Sequence, residues 1–463
     1  MKKLKLWTVS IFAFGLVFNH VACSEQDDSG DTTTATDTSS AEEKQVNLLM
    51  VAPLTGTAAS TGEAMRNGSK LRWSENNFMI GDYKINLVEV DSESDALGID
   101  SASPDIGAKY RAAVEEHQPV AGFLNWHSGI ALELMDIDAE YNLPHLFGLG
   151  ASGLVNDKYH SDPKYKVWGG KGWPQPAAYI LSYFDALQCS LSESCTELTR
   201  EGGVWNPSTQ YVMVATESGA WGESFETGAI GVLEAQDGYW KKNGWTVALK
   251  MKVDADMDAS TLTAKVKEAE TANVSLVVMS STADNANQFL NLLRAKLPNV
   301  VIITEGLGWG GNPGTTAARV LDGGWGPYNP DPAVAQKLSD FKSNYELEYG
   351  TKPPVASAGF SYDYTSFTIA VLERALAKHG ELTRASILDI STTEVQSGLL
   401  TLKDGVVMPE YQYTSESVPD PEYSLSKYYF PVLQYQLNDA GEIEAKTIYP
   451  KSMADASYQT PGN

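Results

Sequence analysis

NLLMVAPLTGTAASTGEAMRNGSKLR, residues 47–72, is the stretch whose reading decides the fold. An apolar run stops at Pro53, small and hydroxylated residues follow, and a helical pattern then begins. A short aliphatic run closed by a breaker predicts a buried strand over 46–52. The whole stretch therefore predicts a strand–loop–helix corner. In open parallel sheets ligands sit at the carboxyl ends of strands, beside the free N–H groups of helix starts. The hydroxyls of Thr55, Ser60 and Thr61 either meet a ligand there or cap the helix beginning near Gly62. The loop lacks the Gly-Lys-Ser/Thr ending of a phosphate loop, and Glu63 would oppose a phosphate.

The same alternation continues along the chain. INLVEV (85–90), PVAGFL (119–124), QYVMVA (210–215), VSLVVM (274–279) and VVIIT (300–304) read as further buried strands. Between them lie helical patterns. In DNANQFLNLLRA, Ala286, Phe289, Leu290 and Leu293 share one face, as do Tyr364, Phe367, Val371, Leu372 and Ala375 in YDYTSFTIAVLERAL. Strand and helix in alternation predict an α/β fold with mainly parallel sheets. Two series are visible, one from 46 to about 170 and one from about 171 to 325, with GGKGWPQP between them. After GGWGPYNPDP (323–332) helical patterns resume, and from 398 the chain turns strand-like and Tyr-rich.

The N-terminus reads as a processing signal over residues 1–22. A basic start, an apolar core too short to span a membrane and HVAC before Cys23 resemble a bacterial lipoprotein signal. That resemblance makes Cys23 the lipidated first residue and anchors the protein to a membrane through its lipid. His20 stands where an aliphatic residue is usual, and plain secretory cleavage nearby is the other reading. Residues 23–45 are almost without apolar side chains and read as a disordered tether. Removing residues 1–22, with three lysines and no acid, takes the net charge from −25 to −28. Such a surface repels phosphate backbones and excludes nucleic acid as a partner. Cys189 and Cys195 in CSLSESC have no histidine or further cysteine nearby for a zinc site and predict a small disulfide loop.

Six markers in order resemble one family. They are APLTG with GEAMRNG; VEVDSESD; VAGFLNWHSGIALELMDIDAEYNLPHLFGLGAS; SGAWGESF; TEGLGWG; and SYDYTSFTIAVLERAL. Together they are similar to extracytoplasmic solute-binding proteins of the leucine/isoleucine/valine-binding type, over about residues 46–440. The resemblance implies the type I periplasmic binding protein fold: two Rossmann-like lobes with helix-flanked parallel sheets, joined by a three-strand hinge. It implies lobe 1 over 46–170 and 329–397, and lobe 2 over 171–328 and 398–450. It implies an exported, periplasmic lipoprotein, not an enzyme, that works without a cofactor and hands an amino acid to ABC permease subunits. Carried onto this sequence, the family's ligand-binding positions fall on Trp126, His127 and Ser128 in NWHSG and on Gly150 and Ser152 in GLGAS. They fall also on Trp221 in AWGES, Glu305 in TEGLG and Tyr362 in SYDYT. A zwitterion needs N–H and O–H donors at one end and a carboxylate at the other, each charge paired once water leaves. Without the resemblance, Glu305 reads as an exposed loop acid.

Trp126 and His127 depart from the small hydroxylated residues usual in that first loop. The chain has 11 tryptophans, and Trp168, Trp173, Trp309 and Trp325 lie near expected crossovers or cleft loops. Aromatic walls suit a flat or apolar ligand, so an aromatic compound, an amide or urea, or a short peptide is the alternative. The other reading of these tryptophans is loop packing. A ligand sensor or a cell-wall regulatory lipoprotein on the same fold is a further alternative. No HExxH, nucleophile elbow or dinucleotide fingerprint is present. DADMD (254–258) has Ala259 and Lys265 where a calcium loop needs Gly and Glu, and reads as helix caps.

Overall fold

The computed structural model describes residues 44–93, 105–280, 285–305, 307, 313–323 and 332–460. The signal, Cys23, most of the tether, Trp309 and Trp325 lie outside the described residues.

The opening stretch forms strand β1 (Lys44–Ala52) and the helix Ala59–Glu75. The first sheet adds β2 (Met79–Ile80), β3 (Tyr83–Asp91), β4 (Ala121–Phe123), β5 (His145–Leu146) and β6 (Trp168–Gly170). Its order is β2-β3-β1-β4-β5-β6, parallel throughout except for the edge hairpin β2–β3. A short strand β7 (Arg200–Glu201) precedes the second sheet. That sheet contains β8 (Tyr211–Thr216), β9 (Thr246–Lys252), β10 (Leu276–Ser280), β11 (Val301–Glu305) and β12 (Leu321–Gly323). After the small hairpin β13 (Leu402–Lys403) and β14 (Glu410–Tyr411), the chain adds β15 (Val432–Leu437) and β16 (Ile443–Tyr449). The order is β16-β15-β12-β11-β10-β8-β9, with β15 and β16 antiparallel and the rest parallel. β17 (Tyr458–Gln459) pairs with β7.

Sequence order reverses at β1 in the first sheet and at β8 in the second. Such reversals open a crevice at the carboxyl edge. The corner after each of these strands is built alike. Leu54 and Thr55 N–H and the Thr55 hydroxyl all bond the Asp91 carboxylate at the end of β3. Ser218 N–H and its hydroxyl bond Asp254, just beyond β9. A Cβ at Gly62 would stand 1.9 Å from the Pro53 carbonyl oxygen, and one at Gly222 1.9 Å from that of Glu217. Glycine is thus required where each helix turns back under its strand. Thr55 is accordingly tied to Asp91 rather than capping the helix, which begins at Ala59, before Gly62.

The chain passes between the sheets three times: after β6, between β12 and the helix Pro332–Tyr349, and between Val395 and β15. The helix Phe360–His379 returns to the first sheet's side, where Thr365 donates to Ser69 and Tyr349 to the Asn67 carbonyl. Cys189 and Cys195 are bonded, with Cα atoms 5.3 Å apart. Asp258 caps the helix Ala259–Thr271 by accepting from Thr261 N–H at 2.7 Å. Among the described residues, no helix is long and apolar enough to cross a membrane.

Candidate functional site

On the first sheet's side, two loops are fastened together. Leu124 (φ 61) ends β4 and Phe147 (φ 43) follows β5, both in the left-handed region that branched and bulky side chains rarely adopt. These bends throw 125–128 and 148–152 above the sheet edge. Gly150 N–H donates to Asn125 Oδ1 at 2.9 Å, and Ser152 N–H to Ser128 Oγ at 3.1 Å. His127 is buried beside them, and neither ring nitrogen has a partner among the described residues, nor has Asn125 Nδ2. Burial pushes the imidazole down to about 3, so the ring is neutral. Trp126 is half-buried against Ala58, on which Ala255 from the second sheet's side also packs.

On the second sheet's side, β11 delivers Glu305. Tyr179 Oη donates to its Oε1 at 2.8 Å, while Oε2 has no partner among the described residues. Burial pushes this carboxyl well above the usual carboxylate range. The Tyr179 hydrogen bond opposes the shift, and the charges of Asp322 and Glu217 add to it. Tyr179 is itself pushed up by burial and by Glu305, while the indole N–H groups of Trp221 and Trp173 draw it down. Trp173 packs on Phe360 and Phe430, with ring centres 4.8 and 4.5 Å away.

The two sides touch. Ser152 Oγ donates to the Ala220 carbonyl at 2.8 Å while accepting from Leu154 N–H as the helix cap, and Gly153 N–H donates to Ser224 Oγ at 2.9 Å. Behind this contact sits Lys171, fully buried in the first crossover. Its ammonium pairs with Asp420 of the third crossover at 2.8 Å. It also donates to Asn156 Oδ1 at 2.5 Å and to the carbonyls of Ala151 and Ser152 at 3.1 and 3.4 Å. Burial lowers the affinity of Lys171 for its proton, and Asp420 opposes that.

Two α/β halves, joined by three crossovers and meeting at the carboxyl edges of their sheets, match a known family. The sequence profile of the periplasmic binding proteins matches residues 45–396. The chain belongs to the periplasmic binding protein family. No curated protein matches the sequence. Among solved structures, it is similar to a putative branched-chain amino acid ABC transporter protein from Silicibacter pomeroyi. The TM-score is 0.66 and the identity 14%, covering 90% of this chain and 100% of that one. A leucine binding protein from Thermotoga maritima gives 0.59 and 15%, covering 88% and 99%. A solute binding protein of an ABC transporter from Rhodopseudomonas palustris, in complex with 3,4-dihydroxybenzoic acid, gives 0.62 and 13%, covering 88% and 98%. At these identities the likeness is one of fold.

In this periplasmic binding protein, Gly150 is bonded to Asn125 and Ser152 to Ser128, and Ser152 reaches the start of the helix that carries Trp221 through Ala220. Trp221 and Glu305 meet at Tyr179. Tyr362 does not join them. Its hydroxyl donates to Glu75 at 2.6 Å, and its ring lies on Phe341. Phe360 and Tyr364 share the aromatic face of their helix, and two residues on turn the side chain by about 200°. Trp168 is core: it stacks on His145 at 4.4 Å and donates to Asp138. Asn125, Tyr179, Lys171 and Asp420 escaped sequence reading. Asn125 is the nearest of them to the sequence candidates, one residue before Trp126.

The neutral His127 has a measurable consequence. An unfolded histidine takes up a proton near 6.5, whereas this one waits until about 3. Its contribution to stability is therefore full above about 6.5 and is lost as pH falls toward 3. Urea unfolding at pH 7 and pH 5 is expected to show a larger loss in the wild type than in His127→Phe. Equal losses would mean that the ring titrates as in the unfolded chain.

Proposed function

We propose that this is the exported solute-binding component of an ABC importer, capturing an amino acid, branched-chain or related, between its two halves. In this reading the halves, 46–170 with 329–397 and 171–328 with 398–450, close on the ligand about the crossovers. Cys23 anchors the protein to the membrane by its lipid, and the permease subunits receive the solute. The protein binds and releases without catalysis.

Glu305 is the observation that carries the reading. A buried carboxyl with one oxygen held by Tyr179 and the other unpartnered is incomplete by one donor. A ligand ammonium would supply that donor and the opposite charge. At the other side, His127 and Asn125 Nδ2 offer buried polar groups for a carboxylate. A second reading, an aromatic carboxylate, is favoured by the half-buried rings of Trp126 and Trp221.

Thermal unfolding against amino acids, amides, urea, short peptides and aromatic acids tests both, because a ligand of the native state raises the melting temperature. A shift with amino acids that Glu305→Ala and Ser152→Ala both abolish is the expected result. A shift confined to aromatic acids would favour the second reading. No shift with any of them would favour a regulatory lipoprotein.

A further inference from the structure

Outside the cleft, a groove of about 720 Å³ runs between the helix Gly153–Ser161, on the first sheet's side, and three helices on the second's. Those are Pro176–Ser190, Ala220–Glu234 and Tyr239–Lys242. Its walls are largely apolar, with the polar side chains of Gln175, Gln188, Ser224 and Thr227 among them. Phe184 and Trp240 meet edge to face at 5.3 Å, and Leu154 and Leu181 line it while 43% and 51% exposed. Gly231 leaves room: a Cβ there would meet nothing within 4 Å. Three carboxylates stand on its rim, Asp157, Asp185 and Glu223, and no lysine or arginine lines it. None of the three forms an ion pair among the described residues.

An apolar trough framed by carboxylates of one sign attracts cations and repels anions, so neither a fatty acid nor an aromatic acid suits it. We propose that this groove is a second ligand site, taking a small organic ammonium or guanidinium ion with an apolar body. The walls come from both sides of the cleft, and Gly153 and Ser224, which bond across it, both line the groove. An occupant therefore binds the joined arrangement of the halves. By linkage it raises the affinity of any cleft ligand that binds the same arrangement, and the reverse holds. The site shares no residue with the Glu305 cluster, so its failure would leave the cleft reading standing.

Calorimetric titration of the full-length protein with 2-phenylethylammonium chloride tests the proposal. The expected result is saturable one-to-one binding that persists in Glu305→Gln and disappears in Gly231→Trp, whose indole fills the trough. Asp185→Asn and Glu223→Gln are each expected to weaken it by about threefold, the worth of one exposed charge. Phenylacetate should leave the groove empty. No saturable binding in the wild type would overturn the proposal. So would binding retained in Gly231→Trp, and loss in Glu305→Gln would place the probe in the cleft instead. Circular dichroism of Gly231→Trp and Asp185→Asn separates lost binding from lost fold.

Discussion

Replacing Lys171 by methionine is expected to lower the unfolding free energy by about 3–5 kcal/mol, the usual cost of removing one member of a buried ion pair. The reason is what remains. Asp420 would be left in a buried place with one backbone donor, Gln175 N–H at 3.1 Å. The carbonyls of Ala151 and Ser152 and the amide oxygen of Asn156 would lose a donor as well. Asp420→Asn alone should also destabilise, because it strips the ammonium of its partner. Lys171→Met with Asp420→Leu should cost less than the two single losses added, since no lone charge is left. Urea unfolding of the set measures all of this. A loss below about 1 kcal/mol for Lys171→Met would show the pair to be solvated and of surface strength.

Glu305→Gln is expected to separate stability from binding. If the ligand carries an ammonium, its affinity should fall by about 2–4 kcal/mol, roughly 30- to 1,000-fold, the range for a buried charged hydrogen bond that loses one partner. The ligand-free protein should behave oppositely. The folded Glu305 carboxyl titrates well above its ordinary value, so the folded state holds the proton more tightly than the unfolded one. Its contribution is full below the ordinary carboxylate range and is lost as pH rises through the folded value. Glutamine keeps the shape and removes that decline. The ligand-free variant should therefore melt at or above the wild type at pH 8, with a smaller difference at pH 5. Melting curves at both pH values and calorimetry with an amino acid check the two halves of the expectation. Unchanged amino-acid affinity in the variant would rule out ammonium pairing at Glu305.

Local patterns predicted what local forces decide. The strand ending at Pro53, the helix behind it and the cap at Asp258 each depend on residues within a few positions of one another. The alternation of such units is enough to indicate the family's layers. What escaped depends on partners distant in sequence. The sequence does not show what holds Thr55, read there as a ligand contact or a helix cap, because Asp91 lies 36 residues away, and nothing near Lys171 announces Asp420. Tyr362 lies apart from the Glu305 cluster for a different reason. Phe360, Tyr362 and Tyr364 are all aromatic, so composition does not say which face of the helix meets the other half. Glu305 lay within reach of a resemblance, but its burial did not, because Tyr179 belongs to another element altogether.

The interleaved order of the strands bears on how the molecule comes to exist. Among the described residues, the outer side of β12 is covered only by β15, which follows it by way of an excursion through the other half. The helix Ala59–Glu75 likewise awaits Phe360–His379. Neither half is complete until nearly the whole chain is present, a topology of long-range pairings that fold slowly. A chain emerging from synthesis carries β12 as a bare edge, ready to pair with a neighbouring copy. Within its own chain that edge has no partner until the last two long strands arrive.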